Sequence, residues 1–353
     1  RYRCHWRYCL NLYYEERTST LMTEKINKKD NYHLIFALIF LAIVSVVSMM
    51  IGSSFIPLQR VLMYFINPND SMDQFTLEVL RLPRITLAIL AGAALGMSGL
   101  MLQNVLKNPI ASPDIIGITG GASLSAVVFI AFFSHLTIHL LPLFAVLGGA
   151  VAMMILLVFQ TKGQIRPTTL IIIGISMQTL FIALVQGLLI TTKQLSAAKA
   201  YTWLVGSLYG ATFKDTIILG MVILAVVPLL FLVIPKMKIS ILDDPVAIGL
   251  GLHVQRMKLI QLITSTILVS MAISLVGNIG FVGLIAPHIA KTIVRGSYAK
   301  KLLMSAMIGA ISIVIADLIG RTLFLPKEVP AGVFIAAFGA PFFIYLLLTV
   351  KKL

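Results

Sequence analysis

The chain has little charge and almost no cysteine. Charged residues fill 12% of its 353 positions, and only 13 of them are acidic, against about 25% charged in soluble domains. Cys4 and Cys9 are the only cysteines. Their place at the very start excludes a disulfide-framed fold, and with it any cysteine-based metal or redox site in the body of the chain. No Gly-Lys pair occurs anywhere, which excludes the phosphate-cradling G-x-x-x-x-G-K-[ST] loop. A G-x-S-x-G elbow and paired carboxylates in a polar segment are missing as well. The chain is expected to hydrolyse nothing itself and to need no cofactor, so any ATP is used by a partner.

Apolar residues are plentiful. They make up 59% of the chain, against roughly 45–50% in soluble domains, and the mean hydropathy is +0.98. Polar surface is too scarce to cover a water-soluble globule, so the excess faces lipid. A net charge of +15 would point to nucleic acid in a soluble protein. Here the basic residues lie mostly between long apolar runs and read as topology signals, with membrane lipid and not nucleic acid as the partner.

A helix needs about 20 mainly apolar residues to cross a hydrocarbon core of ~30 Å. Nine segments qualify: 34–51, 85–102, 115–133, 140–159, 170–190, 216–234, 259–277, 302–319 and 331–350. A tenth, 279–294, is short and carries His288 and Lys291. Counting it places 20 of the 28 basic residues on one side, with both termini inside. Omitting it would put the basic clusters in 235–258 and 291–301 on opposite faces, against the positive-inside rule. The expectation is an all-α polytopic membrane protein of ten spans. A cytoplasmic tail covers 1–33, and the membrane domain covers 34–353, with a cytoplasmic loop at 236–258. Residues 1–21, ahead of Met22, read as translated upstream sequence or as an ordinary basic extension. The first apolar run is long and lacks a clear small-x-small site, unlike a cleavable signal peptide. Between the first two spans, Pro57 opens a short interfacial helix with Leu58, Val61, Leu62, Phe65 and Ile66 on one face.

Chemistry inside the membrane would require ionisable residues there. Asp317 is the only acidic residue well within a span, with Arg321 one helical turn later. Alone it makes a poor ion relay, and pairing within the bundle is the expected role. His288, after Pro287, is expected to bond a freed backbone carbonyl. His135 and His139 have helix-compatible metal spacing but no third ligand nearby, so no metal site is expected. Gly92 and Gly96 in AGAALGMSG, and the pair Gly148–Gly149, suit close helix packing. Pro109 and Pro113 break 105–122 into a bent cytoplasmic turn. In the loop 236–258, Asp243 and Asp244 before Pro245 mark a helix start. Ala247, Ile248 and Leu250 follow as an apolar patch, and Gly249 and Gly251 permit a turn. Such a helix needs another surface to cover it, either the bundle or a soluble partner.

RLPR at 81–84 is followed by GAALGMSGLMLQNVLKNPIASPDIIGITGGA, GNIGFVGLIAPHIAK, ADLIGRTL and EVPAGVFIAAFGAPFFIYLLL. Together these motifs, in this order, resemble the FecCD-type permeases. Those are the membrane subunits of bacterial ABC importers for iron–siderophore complexes, haem and cobalamin. The resemblance runs from about residue 34 to 353. It implies a ten-helix type II importer permease bundle in the cytoplasmic membrane. A second permease, identical or paralogous, would pair with it, two ATP-binding cassette subunits would bind below, and a siderophore-binding protein would dock outside.

The resemblance also assigns roles to residues. Arg81, Arg84 and Arg321 match outward arginines that receive glutamates from the binding protein, a contact for which the guanidinium fork is suited. Asn108 and Ile110 match a constriction at the cytoplasmic mouth. Pro167 and Thr168 stand where the family has a second gate, a pair of small hydroxyl residues. The loop 240–256, with Asp243, Asp244, Ala247, Gly249, Leu250 and Gly251, matches the helices that couple to the ATPase. Ser176, Gln178, Thr179 and Gln186 would line the pathway. The principal expectation is an iron(III)–siderophore permease, with haem or cobalamin as alternative cargo. An ion-coupled secondary transporter built on Asp317 is the reading from another class.

Overall fold

The computed structural model describes residues 6–67, 73–133, 137, 140–160 and 165–350. Cys4, His135, His139, Lys162 and Lys351–Lys352, which entered the charge and metal arguments, lie outside the described residues. Among the described residues the structure is helical, without strands. The helices are α1 (Trp6–Met50), α2 (Leu58–Ile66), α3 (Leu82–Val105), α4 (Ile118–Phe132), α5 (Leu141–Val158), α6 (Pro167–Thr191) and α7 (Gln194–Val205). They continue with α8 (Phe213–Ile239), α9 (Asp244–Gly249), α10 (Val254–Val276), α11 (Val282–Ile293), α12 (Tyr298–Thr322) and α13 (Ala331–Val350). A π-helical turn, Thr76–Arg81, runs directly into α3.

Each of the ten expected spans overlaps one of these helices. Seven stretches are long and apolar enough to cross a membrane, and α4, α11 and Ala331–Leu346 of α13 are shorter apolar helices. The 12 residues of α11 rise only about 18 Å. Gly277 and Phe281, both at positive φ, hold the preceding segment out of the helix. The helix α1 runs without a break through the tail boundary expected at residue 33.

The bundle is built around α3, which is buried on nearly all sides, as expected of a helix apolar all round. In lipid, apolar side chains gain little by leaving one apolar surface for another, so helix association depends on close packing. Glycines provide it. A Cβ at Gly92 would collide with the Gly309 carbonyl of α12, one at Gly96 with the Ser305 carbonyl, and one at Gly99 with the Gly283 carbonyl of α11. The Ser305 hydroxyl then donates to the Gly96 carbonyl at 2.7 Å. Gly121 of α4 meets Gly148 of α5, and Gly149 meets Ser270 of α10, in the same manner. Outer faces are apolar and exposed, with Phe36 and Ile43 on α1, Leu147 and Met154 on α5, and Leu224 and Leu232 on α8. Exposed apolar surfaces of this kind suit lipid.

The short helix α2 forms where expected, but its apolar residues divide between two environments. Val61 and Tyr64 turn inward onto Met49, Ile56, Leu77 and Ile85, while Leu58, Leu62, Phe65 and Ile66 stay exposed. Val61 therefore belongs to the packed face and not to the interfacial one.

The α3–α12 contact can be tested directly. Gly309→Leu should lower the thermal stability of detergent-purified protein by roughly 1–3 kcal/mol or more, the scale of overpacking. Gly187→Leu, where a Cβ meets nothing within 4 Å, should leave the melting curve unchanged.

Candidate functional site

One end of the bundle carries a basic cavity of about 460 Å³, lined by Arg81, Arg84, Arg321, Tyr209, Thr212 and Glu328 among others. Its arginines come from the π-helical turn, the first turn of α3 and the last turn of α12. A helix ends with four carbonyls that lack intrahelical donors, and in α1 these are residues 47–50. The Ile51 amide takes the Val47 carbonyl at 2.9 Å. Arg321 Nη2 donates to the Ser48 carbonyl and to Ser48 Oγ. Arg81 Nη1 donates to the Met49 carbonyl and, at 3.0 Å, to that of Met50, while its Nη2 reaches the Ser54 carbonyl. Two cations thus close the negative end of the α1 dipole. Gly52 permits the approach, since a Cβ there would lie 2.9 Å from Arg81 Nη2.

This corrects the expectation of three outward arginines. Arg81 and Arg321 are only 3% and 5% exposed, because the end of α1 absorbs their hydrogen bonds. Arg84 is largely enclosed as well, with 12% of its side chain exposed, and two carboxylates of its own chain take up its guanidinium. Its Nε donates to both Asp317 oxygens at 2.8 and 3.0 Å, and its Nη1 to Glu328 Oε2 at 2.8 Å. Asp317 pairs within the bundle as expected, but its main partner is Arg84. Arg321 Nε stands 3.8 Å from it without a hydrogen bond. Glu328 and Ser48 were missed by sequence reasoning, since nothing local marks either.

Along α6, residues Leu170, Gly174, Met177, Phe181, Val185 and Leu189 form the buried stripe. Thr168, Ser176, Thr179 and Gln186 are exposed and fall on the opposite side. Gln178 does not join them. At ~200° from Ser176 on the helical wheel, it turns into the bundle beside Gly120 of α4, where its carbonyl oxygen is buried and lacks a hydrogen bond. The assignment of Gln178 to a pathway wall is therefore corrected.

At the opposite end of α3, Lys107 takes a positive φ of 47° and opens the bent turn expected from the prolines. Asn108 Oδ1 accepts from the Ile110 amide at 3.0 Å, an Asx turn that fixes this pair. Gly174 of α6 packs on the backbone of Ile115 and Ile116, so the turn lies against the helix that starts with Pro167 and Thr168. The helix α9 begins as the Asp-Asp-Pro signature predicts, although Asp243 makes no side-chain cap. Val246, Ile248 and Leu250 are exposed, whereas Ala247 is buried with Leu252 and Val254. Ala247 anchors the loop and is not part of the exposed patch. Gly251 supplies the turn at φ +80°, and Gly249 sits in open space.

Asp244 accepts from Lys107 and from Lys258, each at 2.7 Å. Burial pushes its carboxyl up, but the bonds and charges of Lys107 and Lys258 outweigh this and hold it below the usual carboxylate range. A depressed carboxylate loses its charge only as pH falls through the lowered value, so the bridge is intact at neutral pH. His288 packs edge-on against Phe342, with centroids 5.7 Å apart. The carbonyl bond expected for it is not found among the described residues. No cluster of three or more His, Cys, Asp or Glu suited to a metal occurs among the described residues either.

The buried pair carries a stability prediction. Asp317→Ala leaves Arg84 and Arg321 without their shared carboxylate and should cost about 3–5 kcal/mol. The double variant Arg84→Met/Asp317→Leu should recover part of that loss in the same thermal-unfolding measurement.

The chain matches the FecCD transport family over residues 39–349, from within α1 to the end of α13. The achromobactin transport system permease protein CbrC of Dickeya dadantii (strain 3937) is 38% identical over 327 residues, covering 92% of this chain and 94% of the relative. The Fe(3+)-citrate import system permease protein YfmE of Bacillus subtilis (strain 168) is 37% identical over 326 residues, or 92% and 97% of the two chains. A solved structure described as an inward-facing conformation of a metal-chelate type ABC transporter superposes with a TM-score of 0.79 at 26% identity, over 92% of this chain and 100% of that one. The RLPR, NPIASPD and GAP motifs, the bundle around α3 and the match along nearly the whole length agree, and the chain belongs to the FecCD transport family.

Proposed function

We propose that this permease carries an iron(III)–siderophore complex across the bacterial cytoplasmic membrane as the membrane subunit of an ATP-driven importer. The chain is a multi-pass transport permease, and ATP hydrolysis resides on a separate subunit. Relatives named for achromobactin and ferric citrate support this class of cargo. In this reading ten segments cross the membrane with both termini inside. Two permeases face each other along α6, each binds an ATPase through α9, and a binding protein docks at the arginine cavity.

The observation that carries the coupling is the exposed apolar surface of α9. Val246 and Ile248 of α9 and Leu250 at its C-cap are 53%, 61% and 61% exposed, and the six residues of this helix are too few to lie across lipid. Lysines on both sides of Asp244 hold it rigidly to the bundle. Such a patch suits a cleft in a soluble partner.

Leu250→Asp should place an unpaired charge in that cleft and weaken assembly by a few kcal/mol, while membrane insertion is unchanged. Retention of the ATPase at wild-type yield on co-purification would overturn the assignment. Docking is tested at Arg84 together with its buried partner, because Arg84→Glu would set a third carboxylate beside Asp317 and Glu328. Arg84→Met/Asp317→Leu removes the pair without stranding a charge and should reduce affinity for the binding protein at least tenfold, while ATPase co-purification is retained. Unchanged affinity in the reconstituted complex would overturn docking at this cavity.

A further inference from the structure

Four segments at the gate end of the bundle are joined through one carboxylate. Asp244 Oδ1 accepts from Lys107 Nζ and Oδ2 from Lys258 Nζ, both at 2.7 Å. Lys107 also donates to the Leu242 carbonyl at 2.8 Å, so its ammonium holds both the first residue of α9 and the segment leading into it. Lys258 donates to the Ile165 carbonyl at 3.2 Å, and the Ile165 amide donates to Gln255 Oε1 at 2.7 Å. Gln255 and Lys258 lie three apart on one face of α10. Between them they fix both backbone groups of Ile165, two residues before α6 begins.

Lys258 is 4% exposed at its side chain. A buried ammonium is costly unless paired, and Asp244 is the carboxylate that pairs it. Lys107 is the first residue of the turn that carries Asn108 and Ile110. Beyond these contacts, α9 is held by the small apolar cluster of Ala247, Leu252 and Val254 with Ile239. Apolar contacts slide, whereas short charge-assisted bonds fix direction and distance.

We infer that Asp244, Lys107 and Lys258 form a branched linkage that passes displacement of α9 to two separate gate elements. Lys107 serves the turn at Asn108 and Ile110, and Lys258 serves the start of α6 at Thr168. All three are positioning residues. The inference rests on two proposed readings, α9 as the element that meets the ATPase and Asn108, Ile110 and Thr168 as gate positions.

The test is labelling of introduced cysteines in the reconstituted permease–ATPase complex, with Cys4 and Cys9 changed to Ser. Ile110→Cys reports on the turn and Thr168→Cys on α6, each compared without nucleotide and with ATP plus vanadate. In the parent, nucleotide should change the labelling rate at both positions by roughly fivefold or more, the scale of a typical coupling free energy. Lys107→Met should abolish the response at 110 and keep it at 168. Lys258→Met should do the reverse, Lys258→Arg should retain it, and Asp244→Asn should abolish both. Both responses surviving in Asp244→Asn would overturn the linkage. So would loss of both responses, together with ATPase co-purification, in either lysine variant, since that pattern marks a purely structural role. If Lys258→Met fails to insert, Lys107→Met decides the matter by itself. A parent that binds the ATPase but responds at neither position overturns the gate reading, and normal ATPase retention by Leu250→Asp overturns the coupling reading.

Discussion

The contact on which the bundle depends is the backbone-to-backbone crossing of α3 and α12. Gly92 and Gly96 face Gly309 and Ser305 without intervening side chains, so the two helices approach more closely than side chains of ordinary size would allow. In lipid this closeness supplies the packing energy that the hydrophobic effect supplies in water. It also sets the register of everything attached to either helix. Arg84 lies two turns before Gly92, and Asp317 two turns after Gly309. Their meeting at 2.8 Å is a consequence of the crossing, not an independent device. The same crossing brings Arg321 to the end of α1.

The ends of the bundle use polar groups differently. At the arginine cavity, the guanidinium groups of Arg81 and Arg321 fill the vacant carbonyls of α1, a local and neutral-partner use of charge that resists movement. At the opposite end of α3, Asn104 bonds Ser240 and Gln261 at 2.9 and 2.8 Å, joining α3, the C-cap of α8 and α10 through uncharged groups. Lys291 of α11 reaches Gln103 of α3 at 2.7 Å. Asp30 of α1 accepts from the Gly296 amide at 2.8 Å and ties that helix to the α11–α12 connection. These bonds brace the helices to one another. The charged bridge of Asp244 is different because it ties a peripheral helix to Lys107 in the turn after α3 and to Lys258 near the start of α10.

Much of this architecture was legible in the sequence. Spans were readable because long apolar runs have few alternatives, and α11 was recovered from the balance of basic loops although hydropathy alone left it in doubt. The start of α9 and the packing role of Gly92 and Gly96 follow from local chemistry. What could not be read was the direction of individual side chains. Gln178 was grouped with Ser176 and Thr179 by polarity, but helical phase separates them, and only the position of Gly120 shows which phase faces inward. Ala247 and Ile248 are neighbours of similar character, and the turn at Gly251 decides which one is buried. The partner of Asp317 was sought one turn away at Arg321. The true partner lies 233 residues earlier, beyond any local pattern.

In the proposed arrangement, where two permeases face each other along α6, the exposed face of this helix would meet a bulky ligand. Ser176 Oγ donates to the Ile172 carbonyl and Thr179 Oγ1 to the Ile175 carbonyl, each at 2.9 Å. Their hydroxyl protons are therefore committed to their own helix, as is common for Ser and Thr inside helices. What they present outward is oxygen lone pairs and a methyl group, beside the exposed Ile172 and Ile190. Gln186 is the one side chain of the four assigned residues that keeps free donors on this face. A wall of this kind solvates a polar surface weakly without binding it strongly. Strong binding at a mid-membrane site would add to the barrier for release, since only interactions that favour the moving state over the resting one speed a step. In the proposed arrangement, selection by charge and shape would then fall to contacts outside the membrane.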